Sequence, residues 1–216
     1  MKSSSEEYEI SIYLTEFKNR RTEDAYQRHI QNIVTGQLRI VLVIWAAILL
    51  LFAVPDYTAL GTTRPFFYLL SYRLIIALSL MLVIVNIRPD TDFFKISKAV
   101  TVVVFAGITG FMLFFYFRPE VTYWIIGLIM IQIVFLMMFV PIRFILAVAG
   151  GLYAVVITMV TNWHMGATPV NLIELFFILM LPFVLGSATA MRLGISQRRQ
   201  FALLLETEKI NRELAI

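Results

Sequence analysis

Six stretches of almost unbroken apolar sequence, at residues 38–54, 66–87, 99–117, 121–140, 144–160 and 170–190, limit this chain more than any other feature of it. A helix needs about 20 apolar residues to cross the hydrocarbon core of a bilayer, and each run approaches that length. Of the 216 residues, 60% are hydrophobic and 15% charged, against roughly 45–50% and 25% in soluble domains. One water-soluble core of this size cannot hide that excess. The pattern predicts an all-α integral membrane domain of six transmembrane helices. Pro55, Pro89, Pro119 and Pro141 stand at run ends, where a helix can stop, whereas Pro182 lies inside the sixth run and predicts a kink. The connections at 55–65, 88–98, 118–120, 141–143 and 161–169 are short, so neighbouring helices are expected to run antiparallel.

Three parts follow from this. Residues 1–37 are a polar lead without the apolar core of a secretory signal, so the first run is expected to act as an uncleaved anchor. Tyr26, Ile30, Ile33 and Val34 recur at helical intervals and predict a juxtamembrane helix that runs into the first span. Residues 38–190 are the six-helix domain, and residues 191–216 a polar C-terminal segment. Fifteen of the eighteen Lys and Arg residues fall in the lead, at Arg39 where the first run begins, in connections 88–98 and 141–143, and in the C-terminal segment. Only Arg64 and Arg118 lie in the alternate connections, and Arg73 lies within a run. Positive charge stays on the cytoplasmic side, so both termini are placed in the cytoplasm. The same charges, held against anionic lipid, account for the pI of about 9.4 without a nucleic-acid partner.

The sixth run passes without a stop signal into a segment rich in strong helix formers. A heptad places Leu193, Gln200, Thr207 and Leu214 at one core position, with Ser196, Leu203 and Ile210 at the other. Leu193, Leu203, Ile210 and Leu214 are its apolar seam. Three polar core residues make that seam weak, which suits a signalling helix that pairs with a second copy and shifts register at low cost. The segment reaches Ile216 with no terminator, as expected where a further domain follows.

Few residues are candidates for chemistry. Arg73 and Glu174 are charges within spans, where each costs a few kcal/mol and usually faces a partner or a wet cavity. Their depths are similar, so they are expected to form an intramembrane ion pair or to contact a ligand. Asp56, Tyr57, Tyr72, Tyr123, Trp124 and His164 cluster near the same level and form a candidate outer pocket, although an interfacial aromatic belt explains most of them equally well. Gln132 is expected to make an interhelical hydrogen bond. Gly107, Gly110, Gly150 and Gly151 are expected to permit close helix approach. The chain has no Cys, and its two histidines, His29 and His164, lie outside the runs. No catalytic set, metal site or cofactor is therefore expected, haem included.

The stretch VTYWIIGLIMIQIVFLMMFVPIRFILAVAGGLYAVV carries a Tyr and a Gly at the start of the fourth run. It continues with Pro141, Ile142, Arg143 and Phe144 at a tight turn. Together with Asp56 and Tyr57, Arg73, and the Arg198-Arg199-Gln200-Phe201 segment, it resembles the six-span sensory regions of the MASE type. Such regions stand in front of diguanylate cyclases and class III adenylate cyclases, and related ones precede some histidine kinases. The resemblance implies a homodimeric input module in a bacterial inner membrane, whose last helix sets the spacing of two fused cytoplasmic catalytic domains. It carries no ligand onto named residues; the apolar spans themselves lead us to expect a small apolar or lipid-like one. This chain itself is then no enzyme. The competing reading, a small transporter or channel, requires polar residues at mid-depth or an inverted repeat, and neither is apparent.

Overall fold

The computed structural model describes residues 8–11, 14–87, 93–118, 122–140 and 142–214. Those residues form helices joined by short links. The helices are α1 (Arg20–Leu51), α2 (Ala53–Leu60), α3 (Arg64–Asn86), α4 (Phe93–Phe111), α5 (Leu113–Phe117), α6 (Thr122–Met138), α7 (Phe144–His164) and α8 (Pro169–Leu214). Five helical segments are long and apolar enough to cross a membrane, and the segment at α6 is a shorter apolar helix. The expected helix ends at Pro89, Pro119 and Pro141 lie outside the described residues.

α1 begins well before the first apolar run. Asn19 caps it by accepting a hydrogen bond from the Arg21 amide at 3.0 Å. Its buried stripe, Leu38, Leu42, Ala46 and Leu49, repeats every three or four residues and packs on α3, which answers with Leu69, Ile76 and Leu80. The chain does not stop at Pro55. It breaks at Phe52 and resumes as α2, with Pro55 in the first turn of the new helix, so the connection expected at 55–65 is partly helical. α4 likewise breaks at Met112 and continues as α5.

α3 packs on α4, α4 on α7, and α7 on both α6 and α8. Glycines allow the closest of these approaches. A Cβ on Gly110 would lie 2.2 Å from the Tyr72 ring, and one on Gly151 2.5 Å from Met137 Cε. On α8, a Cβ on Gly186 would lie 2.9 Å from the Met137 sulfur. α8 runs through Pro182 without interruption for 46 residues. Proline has no amide hydrogen, so the carbonyl of Ile178 loses its helical donor there.

Candidate functional site

The break before Pro55 has a chemical consequence. It removes the helical partner of the Leu49 carbonyl, and Arg73 of α3 takes its place through Nη1 at 3.0 Å. Arg73 also donates through Nε (2.9 Å) and Nη2 (2.7 Å) to Oδ2 of Asp56 on α2. Both side chains are almost fully buried. The guanidinium further lies 4.9 Å from the Phe114 ring centre and 5.7 Å from that of Phe52. Arg118 approaches the second Asp56 oxygen at 3.4 Å. A desolvated charge is tolerated only with partners of this kind, and the cluster ties α1, α2, α3 and the end of α5 together.

Beneath the cluster lies a cavity of about 560 Å³ between α1, α3, α4 and α6. Its walls are mostly apolar, with Trp45, Phe52, Phe111, Phe135 and Ile76 prominent among them. Tyr72 closes one side by donating to the Gly107 carbonyl at 2.6 Å. Ile48 and Ile131 line the cavity and are also exposed on the flank of the bundle. At that flank the rings of Trp45 and Phe135 meet edge-on at 6.1 Å. The cavity therefore gives onto the side of the bundle at the α1–α6 seam.

The structure corrects several expectations. Arg73 pairs with Asp56 and not with Glu174. Glu174 stands exposed on α8, which packs chiefly on α6 and α7. Of the expected outer pocket, Asp56, Tyr72 and Trp124 do line the cavity. Tyr57 (53% exposed) instead meets Phe66, Tyr123 is 88% exposed, and His164 is exposed at the end of α7. Gln132 makes no hydrogen bond to another helix among the described residues; it lines the cavity.

A second cluster lies at the opposite end, where α8 leaves the bundle. Arg198 donates to both oxygens of Glu23 on α1, Nε at 2.9 Å and Nη2 at 2.6 Å. Its guanidinium lies 4.5 Å from the Tyr26 ring centre. Phe17, Tyr26 and Phe201 pack their rings together beside this pair. The amide of Phe17 donates to Glu23 at 2.9 Å, and Glu16 reaches Arg143 at the α6–α7 turn at 3.6 Å. Thr15, held at φ +56°, approaches α8 where Gly194 has no side chain. The segment before α1 is thus clamped across α8. Burial alone raises the Glu23 pKa, but Arg198, the Phe17 amide and Gln27 outweigh it and hold the carboxyl below its ordinary value of 4.5. The seam residues Leu193, Leu203, Ile210 and Leu214 are all exposed, and Phe201, one position off that seam, is buried in the clamp.

No protein-family model, curated protein or solved structure matches this chain.

Proposed function

We propose that the chain is a membrane-embedded sensory module that passes a change in helix packing through α8 to a cytoplasmic domain. A diguanylate cyclase is the favoured output and an adenylate cyclase the next. The observation that carries this reading is α8 itself. At 1.5 Å per residue its 46 residues extend about 69 Å, more than twice the roughly 30 Å of a hydrocarbon core. Its first half is built into the bundle. Its second half leaves the bundle past the Glu23–Arg198 clamp and displays an unpaired apolar seam that suits a second copy.

The membrane part of the reading is supported by apolar side chains turned outward along the bundle, such as Val85, Leu82, Ile75 and Phe177, each more than 60% exposed. In water such a surface would drive association; in a bilayer it is already solvated. The Lys and Arg distribution orients the bundle with both ends in the cytoplasm. A tenfold change in output needs only about 1.4 kcal/mol of differential stabilisation, within reach of a seam weakened by Gln200 and Thr207.

The test is a fusion of a diguanylate cyclase reporter after Leu214, with residues inserted after Leu205 so that the clamp stays intact. One inserted residue rotates everything beyond it by about 100°. Output is expected to change sharply with inserts of one to three residues and to recover near seven. Constant output across the series contradicts transmission through a rigid α8.

A further inference from the structure

The two polar elements of the cavity are unlike. In the Asp56–Arg73 pair all three guanidinium nitrogens already donate within the protein, and Arg118, which also lines the cavity, is turned to the second Asp56 oxygen at 3.4 Å and to the Pro55 carbonyl at 3.5 Å. Such a group fixes the ends of helices and offers a ligand anion little. Gln132 is different. The residue lines the cavity about 12 Å further along α6 than Trp124, and its amide has no hydrogen-bond partner among the described residues. An amide among apolar walls is costly when unpaired. It offers one donor group and one acceptor, which complements a hydroxyl or carbonyl better than a carboxylate or an ammonium. The opening at the α1–α6 seam faces sideways, so an occupant would come from the surroundings of the helices and not from the solvent at the bundle's ends.

We infer that the cavity binds an uncharged single-chain lipid bearing a hydroxyl or carbonyl, with that group on Gln132 and the chain against Trp45 and Phe135. The volume of about 560 Å³ falls within the roughly 300–1,000 Å³ of small-molecule sites. This inference rests on the membrane-embedded reading of the chain, and it names the chemistry of the signal.

Trp45 and Trp124 line the cavity and Trp163 does not, which provides a direct assay. The Trp163→Phe protein in lipid nanodiscs is titrated with terminally brominated dodecanol, dodecanoate and dodecane, and quenching of tryptophan fluorescence is followed. The expected result is saturable quenching, with the alcohol bound about fivefold tighter than the alkane and tighter than the carboxylate. Gln132→Leu removes a polar group without leaving a void, and it should bring the alcohol down to the alkane's affinity. Gly107→Leu adds a side chain at a cavity-lining position where a Cβ meets only Ile76, at 3.8 Å; it should abolish saturation for every probe. Non-saturable quenching equal for all three probes would overturn the inference. So would a preference for the carboxylate, or an alcohol preference that survives Gln132→Leu. The assay contains no output domain. A failed insertion series with saturable quenching refutes transmission alone, and the converse refutes the ligand alone.

Discussion

Asp56→Ala is expected to destabilise the protein by about 3–5 kcal/mol, because it strands the buried Arg73 charge without its carboxylate. Among single substitutions of the bundle's carboxylates, this one should have the largest effect. The Asp56–Arg73 pair is almost fully buried, so water cannot take over the lost contacts. Thermal unfolding in mild detergent reads the loss directly. Two comparisons give the prediction its edge. Glu174→Ala, at an exposed position, should change stability by no more than about 0.5 kcal/mol. The double variant Arg73→Leu with Asp56→Leu should be much less destabilised than the sum of the two single leucine variants, since replacing both charges removes the orphaned one. If Arg73→Leu couples instead to Glu174→Leu, the assignment of partners is wrong.

Arg198→Gln is expected to release the segment before α1 from α8. Charge-assisted hydrogen bonds to a partly buried carboxylate contribute about 1.5–3 kcal/mol, so the Phe17 amide, bonded to Glu23, should exchange its hydrogen about ten to a hundred times faster. Glu23→Gln should do the same, and the double variant should add little. The clamp also carries a pH dependence. The folded-state pKa of Glu23 lies below the ordinary 4.5. Its contribution is therefore complete above that ordinary value and is lost as pH falls through the lower folded value. Acidification below about 4.5 should open the clamp in the native protein and have little further effect in Glu23→Gln. Fused to the reporter domain, either clamp variant is expected to shift output while leaving the unfolding temperature of the bundle nearly unchanged, because the Phe17–Tyr26–Phe201 cluster is separate from the main core.

What can be read in the sequence is what depends on local pattern. The six apolar runs all appear as helices because length and hydropathy act residue by residue. The run from the polar lead into the first helix is legible from Tyr26, Ile30, Ile33 and Val34. Arg73 stands out because a charge within an apolar run has no local explanation. Its partner does not stand out, because the choice between Asp56 and Glu174 depends on which helices touch. Depth along a helix, which sequence supplies, cannot distinguish a neighbour from a helix on the far side. Pro55 reads as a breaker, but the break falls at Phe52, and the Leu49 carbonyl that this break leaves for Arg73 is visible only in three dimensions. The clamp is hidden for the same reason. Glu23 and Arg198 are separated by nearly the whole chain, and each looks like an ordinary surface charge. Gly194, a small residue in a helix-forming segment, is the one local signal that something lies against α8 there.

Transmission through α8 requires the bundle to lie across a bilayer with the clamp and the end of α8 on one face. The chain has no native Cys, so single cysteines at Asp24, Thr62 and Glu206 can each be probed in intact cells with a membrane-impermeant maleimide. Labelling of the Thr62 position alone, with the other two reacting only after the membrane is permeabilised, is the predicted result. Labelling of either Asp24 or Glu206 in intact cells would place the two ends, or the whole assembly, on the wrong side and contradict the account.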